Sequence, residues 1–244
     1  MLRYVTTNDG KMREAADYLG DATVKQFDYD YLEIQSNDPG AIAAQGAREA
    51  YRACGEPVIT DDAGLFVESL NGFPGTYSSF VEDTLGIERV ARLALAEEDT
   101  RASFRCVLAY CDGEPFEASP DTVARADRAV AAAASPDDES PDESTSDEST
   151  SDESTTDGSN RGKPHRRSNL DEREPLPVKL FEGYVPGRIV EPRGEGGFGY
   201  DPIFEHGGTT FAEMDAREKN ALSHRGRALA KFAEWFQARQ DPIE

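Results

Sequence analysis

From Ser140 to Thr155 the chain runs SPDEST, SDEST, SDEST, and no other feature limits its possible folds more sharply. The repeat lies inside a longer stretch, Ala118 to Glu174, that is first alanine-rich, then acidic, then polar and basic up to Arg173. Aromatic and branched apolar side chains are nearly missing from it. Such a stretch has too little apolar surface to offset the chain entropy lost on ordering, so residues 118–174 are expected to form a disordered insertion. FRCVLAYC before it and VKLFEGYVPGRIV after it both read as strands. Because closure entropy rises slowly with loop length, these two can pair as neighbours across the insertion. One domain built from residues 1–117 and 175–244 is the expected organisation. A phosphorylated or partner-binding tail is the functional alternative for the insertion.

The acidity is not confined to that segment. Residues 118–174 hold 15 Asp or Glu against 7 Lys or Arg, a net of eight negative charges; of the formal −22 of the chain, 14 lie elsewhere. A surface this acidic repels a nucleic-acid backbone and argues against a polymer partner. Many carboxylates with few lysines also suit a high-salt cytoplasm, and a halophilic source is the corresponding hypothesis. Cys54, Cys106 and Cys111 are odd in number and lack Cys-x-x-Cys spacing, which argues against a disulfide framework and a thiolate zinc site. Cys106 and Cys111 read as core residues. No apolar run approaches the roughly 20 residues of a membrane span. Met1 to Tyr4 leads directly into an apolar strand without an export signal. A cytoplasmic protein with no membrane partner is expected.

Outside the insertion, strand-like and helix-like pieces alternate. Leu2 to Thr6 reads as a strand, Lys11 to Leu19 and Pro39 to Cys54 as helices, and Pro57 to Thr60 as a buried strand ending at Asp61-Asp62. Leu65 to Glu68 restarts an extended segment. Thr84 to Glu98 and Glu218 to Arg239 read as one amphipathic helix each. A mixed sheet flanked by helices, an α/β fold, accommodates this order.

Four stretches carry residues able to do chemistry. In the first, Thr6, Thr7, Asn8, Asp9, Gly10 and Lys11 lie between a strand and a helix. Hydroxyls, free N–H groups and a lysine there form a phosphate cradle, although the Walker spacing is missing and a simple helix cap explains the same residues. In the second, Thr60-Asp61-Asp62-Ala63-Gly64 puts adjacent carboxylates at an expected strand end, a place suited to magnesium, and Glu33 is a further oxygen ligand. A polar turn and a solvated side chain are the plain alternatives.

In the third stretch, Gly194, Gly196 and Gly199 satisfy Gly-x-Gly-x-x-Gly, yet Pro202, Ile203 and Phe204 read as extended, so no dinucleotide-binding helix follows. A glycine loop presenting Phe198 for stacking and Asp201 for hydrogen bonding fits a purine pocket, and a hairpin turn is the bland alternative. The fourth, Glu218 to Gly226, brings Lys219, His224 and Arg225 together on the expected helix, where they suit phosphate or a base carbonyl or form a helix-end charge patch. His165 and His206 lack ligand partners at usable spacing.

Together the four stretches resemble the ITP/XTP pyrophosphatase family of non-standard purine nucleotide hydrolases. The resemblance rests on Thr-x-Asn-x-x-Lys from Thr6 to Lys11, Asp-Asp-Ala-Gly from Asp61, and Asn71-Gly-Phe-Pro-Gly-Thr-Tyr-Ser78. Gly-Phe-Gly-Tyr-Asp-Pro-Ile-Phe from Gly197 and Ser-His-Arg-Gly from Ser223 complete it. It covers nearly all of the chain outside the acidic insertion, which takes the place of a short turn.

The resemblance implies an elongated, two-lobed α/β fold with a central cleft, found as a homodimer, and makes 1–117 with 175–244 the catalytic domain. It implies that Thr6, Thr7, Asn8, Asp9, Gly10 and Lys11 hold the triphosphate, and that Glu33 and Asp62 bind Mg²⁺. Asp62 doubles as the base, Lys11 is catalytic and Ala63 lines the site. Phe198, Gly199, Tyr200, Asp201, Lys219, His224 and Arg225 contact the base and phosphates. The implied reaction is water attack at the α-phosphorus of ITP, dITP or XTP, releasing the monophosphate and pyrophosphate and cleansing the nucleotide pool. Lys11 and Lys219 stabilise the developing charge. A donor such as Arg225 or His224 pairs with the 6-oxo group that adenine lacks. The rival readings are a Maf-type pyrophosphatase acting on pyrimidine triphosphates and a non-catalytic nucleotide-binding protein.

Overall fold

The computed structural model describes residues 1–20, 23–116 and 176–240. The expected insertion at 118–174 lies outside them. Among the described residues the strands form one mixed sheet in the order β2-β1-β3-β4-β5-β6-β7. These are β1 (Leu2–Val5), β2 (Val24–Phe27), β3 (Val58–Val67), β4 (Arg101–Cys111), β5 (Lys179–Ile189), β6 (Phe204–His206) and β7 (Thr209–Thr210). β1 runs parallel to both β2 and β3, and every later pair is antiparallel. The two apolar runs flanking the insertion do pair, with Cys106 opposite Gly183.

The helices are α1 (Asp9–Leu19), α2 (Pro39–Cys54), α3 (Ser78–Leu85), α4 (Ile87–Leu95), α5 (Ala216–Leu222) and α6 (His224–Gln240). Local chemistry sets their ends. Asp38 accepts from the Gly40 N–H ahead of Pro39 in the first turn of α2, and Gly55 closes that helix at φ 67°, a left-handed value that glycine adopts without strain. Asp215 and Glu218 form a reciprocal capping box on α5.

Three expectations change. β3 is one continuous strand through Asp61 and Asp62 rather than two pieces, because every residue from Val58 to Val67 pairs with β4. The single helix expected over Thr84 to Glu98 is two, α3 and α4, broken at Gly86 with φ 83°. The last helix is likewise divided, since Ser223 is extended (φ −63°, ψ 150°) between α5 and α6.

The long strands β3, β4 and β5 carry separate cores toward their two ends. Toward one end Leu65, Val67, Phe104 and Val185 pack with Val90, Ala91, Phe204 and Phe211. Toward the other, Ile59, Cys106, Leu108 and Phe181 meet Leu229 and Phe232 of α6, while Val58 and Ala109 on the opposite face meet the alanines of α2. Burial of this kind stabilises by about 25 cal/mol per Å² of apolar surface. A cleft of about 1340 Å³ opens between the two ends. No described helix is long and apolar enough to cross a membrane.

Candidate active site

The floor of the cleft is built from β3. Side chains alternate along a strand, so Asp61 and Asp62 point to opposite faces. The parallel ladder between β1 and β3 stops at Tyr4 and Ile59, and both aspartates lie just beyond it. They therefore occupy the open edge of the parallel ladder even though β3 itself continues.

Asp61 is buried and fully partnered. Its Oδ1 accepts from the Tyr4 hydroxyl at 2.7 Å and from Lys11 Nζ at 3.0 Å, and its Oδ2 accepts from Arg225 Nε at 3.1 Å. Burial alone would raise this carboxyl, but the charges of Lys11 and Arg225 and the bonds from Tyr4 and Lys11 hold it well below the usual carboxylate range. Arg225 also reaches Glu14 through Nη1 at 3.4 Å, and Ser223 Oγ donates to the other Glu14 oxygen at 2.8 Å.

Asp62 has the opposite character. Its Oδ2 is buried without a hydrogen-bond partner. Burial, then the negative charges of Asp61 and Glu33, push its carboxyl up to about 7. A carboxylate that is crowded by like charge and has one oxygen without a donor is suited to a cation or to a proton.

The start of α1 flanks this pair. Asn8 Oδ1 accepts from the N–H groups of Gly10 (2.8 Å) and Lys11 (3.2 Å), and Thr6 Oγ1 accepts from Asn8 N. Both the cap and the cradle readings are thus compatible with the geometry, because Thr6, Thr7, Asn8, Gly10 and Lys11 also line the cleft. Asp9 does not line it.

Across the cleft lies the glycine loop. Asp201 Oδ2 accepts from Phe198 N at 2.7 Å and from Lys219 Nζ, whose ammonium rests 4.0 Å from the centre of the Phe198 ring. Gly197, at φ 73°, is a requirement of this turn, since a Cβ there would meet Asp201 Oδ2 at 2.1 Å. Phe198 is 58% exposed, an unusual state for a phenylalanine, and it lines the cleft. The Tyr200 hydroxyl donates to the Ser78 carbonyl at 2.9 Å, which ties the loop to α3. Ser78 in turn accepts from Leu65 N and donates to the Gly75 carbonyl, which presses on Gly64; a Cβ at Gly64 would lie 2.0 Å from that carbonyl oxygen.

The Ser-His-Arg-Gly stretch is explained residue by residue. Ser223 Oγ accepts from Gly226 N at the start of α6. Gly226 leaves room for the Asn220 carbonyl, which would lie 2.1 Å from a Cβ. Arg225 turns inward to Asp61. His224 stacks on Phe104 with centroids 4.7 Å apart and planes 9° from parallel, and its Nδ1 is buried without a partner. Burial, then the Arg225 charge, holds this imidazole well below its ordinary pKa, so the ring is neutral.

Glu33, Ala63, Gly199, Tyr200, Asp201 and Lys219 also line the cleft, so of the catalytic, substrate and metal residues implied by the resemblance all but Asp9 line it. Sequence reasoning missed Glu14, Tyr31, Glu82 and Phe104, which line it too. Glu14 had a detectable signal, an acid three residues after Lys11 and so on the same helical face. Phe104 had none, being one apolar residue in an apolar strand.

A profile of the Ham1 family matches residues 2–126 and 169–235. This chain belongs to the Ham1 family. The profile passes over 127–168, within the acidic segment. Among similar proteins, the dITP/XTP pyrophosphatase of Methanopyrus kandleri is 37% identical over 238 residues, covering 96% of this chain and 94% of that protein. The dITP/XTP pyrophosphatase of Methanosarcina mazei is 36% identical, covering 96% and 95%. The inosine triphosphate pyrophosphatase of Aspergillus fumigatus is 31% identical, covering 97% and 94%. The solved structure of a HAM1 protein from Coxiella burnetii superimposes with a TM-score of 0.65 at 26% identity, covering 97% of this chain and 99% of that one.

Proposed function

We propose that this chain hydrolyses non-standard purine nucleoside triphosphates, ITP, dITP and XTP, to the monophosphate and pyrophosphate. The observation that carries this reading is the unpartnered Asp62 Oδ2 in a cleft that is also lined by an exposed phenylalanine and a neutral histidine. The acidic end suits a metal-bound triphosphate and the aromatic end suits a purine.

Glu33 and Asp62 are the residues to hold a divalent cation. Among the described residues no three His, Cys, Asp or Glu side chains form a closed cage. Two carboxylates suffice for magnesium, which is commonly held by one or two carboxylates together with substrate phosphates. When bound, Mg²⁺ supplies neutralisation of the triphosphate's negative charge.

The protein groups do the rest. Asp62 accepts the proton of the attacking water, a role for which its unpartnered Oδ2 is free. Asp61 does not compete for that proton, because its two cations keep it ionised. Lys11 leaves part of its contact with Asp61 to meet the phosphates together with Thr6, Thr7, Asn8 and Gly10, and Lys219 adds positive charge at the other wall. The base stacks on Phe198. His224 and Arg225 stand at its edge with Gly199, Tyr200 and Asp201, and favour a 6-oxo purine over adenine. Because Arg225 is already bonded to Asp61 and Glu14, its part is mainly to hold the floor, which leaves His224 Nδ1 for the nucleotide.

Family likeness supports a homodimer. The three free thiols support a reducing cytoplasm, and the acidic surface supports working at high salt. A panel of purine and pyrimidine triphosphates, assayed for pyrophosphate with and without Mg²⁺ across salt concentrations, tests the function. Release from ITP and XTP is expected. Preference for pyrimidine triphosphates, or binding of ITP without turnover, would refute it.

A further inference from the structure

Glu33 lies in a stretch, residues 31–36, that has neither helix nor strand to hold it. It is exposed, and it lines the cleft together with Asp62. The stretch is nevertheless held in place. The structure places three tethers on it, and two come from α2.

The first is a ring seat. Gly46 lies in the buried interior of α2, where glycine is a poor helix former, and a Cβ there would meet Tyr31 Cε2 at 2.6 Å and Cζ at 2.7 Å. The missing side chain lets the Tyr31 ring lie directly against the helix. The second is a backbone clamp. Leu32 N donates to Glu49 Oε2 at 3.3 Å, and Gln45 Nε2 donates to the other oxygen of the same carboxylate at 2.7 Å. Gly46 and Glu49 are three residues apart and so face the same way on the helix. The third tether closes the far side, where Thr76 Oγ1 donates to the Ser36 carbonyl.

We infer that Gly46, Gln45 and Glu49 of α2 form a seat for Tyr31 and Leu32 that aims the Glu33 carboxylate at Asp62 and so sets the affinity of the divalent site. The inference rests on the reading of Glu33 and Asp62 as metal ligands and extends it to positioning residues that touch neither metal nor nucleotide. Glycine at 46 admits the ring at the expense of helix propensity. Gly46→Ala strengthens the helix and moves the ring.

The test is Mn²⁺ binding to the full chain without nucleotide, read by water-proton relaxation, together with the Mg²⁺ dependence of turnover. Outer partners of metal ligands typically change affinity about tenfold or more when removed. Gly46→Ala is expected to weaken Mn²⁺ by about that factor while thermal unfolding is unchanged or raised, and excess Mg²⁺ restores most of the turnover. The double variant Gly46→Ala/Tyr31→Leu, in which a smaller side chain meets the new methyl group, is expected to regain much of the affinity. Glu33→Gln serves as the reference. If Glu33→Gln weakens Mn²⁺ and Gly46→Ala does not, the seat is refuted and the ligand assignment stands. If Glu33→Gln leaves Mn²⁺ affinity unchanged, the ligand assignment falls and the seat falls with it. A double variant no tighter than Gly46→Ala alone also refutes the seat.

Discussion

Asp61 and Arg225, 164 residues apart in the chain, are joined by a 3.1 Å bond between Oδ2 and Nε beneath the cleft. The bond fastens the first turn of α6 to the middle of β3, and with Lys11 and Tyr4 it leaves Asp61 no free oxygen. Breaking a buried pair strands the remaining charge, which is destabilising by about 3–5 kcal/mol. Asp61→Asn should lower the unfolding free energy by about that amount in urea titrations.

The same pair gives an acid-stability profile with a defined sign. The folded pKa of Asp61 lies below its unfolded value of about 3.9. Its contribution is therefore complete above the unfolded pKa and is lost as pH falls through the folded one. The stability gap between wild type and Asp61→Asn should be constant from neutrality to about pH 5 and shrink below about pH 4, as followed by denaturation at each pH. A gap that widens on acidification would contradict the assignment.

Asp62→Asn keeps the shape of the cleft floor and removes the proton acceptor. General-base removal lowers turnover by about 10²–10⁴-fold. Single-turnover assays should show that loss, while equilibrium dialysis still detects ITP.

His224→Phe preserves a ring against Phe104 and deletes the unpartnered Nδ1. Loss of one buried hydrogen bond to the nucleotide amounts to about 1 kcal/mol, or roughly fivefold. The ratio of kcat/KM for ITP to that for ATP should fall by about that factor, with the unfolding midpoint little changed.

Phe198→Ala removes an exposed aromatic face. Base stacking on such a ring is worth about 1–3 kcal/mol. The KM for ITP should rise at least fivefold or so, a change that competition binding with IMP can separate from effects on chemistry.

Much of this was legible in the sequence, for physical reasons that differ by element. α2 reads correctly to its ends because Asp38, Pro39 and Gly55 are punctuation that acts locally. The pairing of β4 and β5 reads correctly because both are long and apolar. β3 does not, since two adjacent aspartates look like the end of a strand until Lys11, Arg225 and Tyr4 arrive from three other elements. Ser223 looks helical for the same reason, because its partner Glu14 is 209 residues away. β6 and β7 are too short to carry a periodicity. The motifs located the cleft, but the division of labour between neighbouring carboxylates depends on which face of β3 each one occupies.

That division depends on strand parity. A one-residue slip of β3 against β4 that carried Asp62 into the place of Asp61 would bury it between two cations and leave Ala63 in the place that faces Glu33. An insertion or deletion between Val58 and Asp61 therefore threatens this enzyme more than many substitutions within the cleft, because it leaves every cleft residue present and misplaces the chemistry.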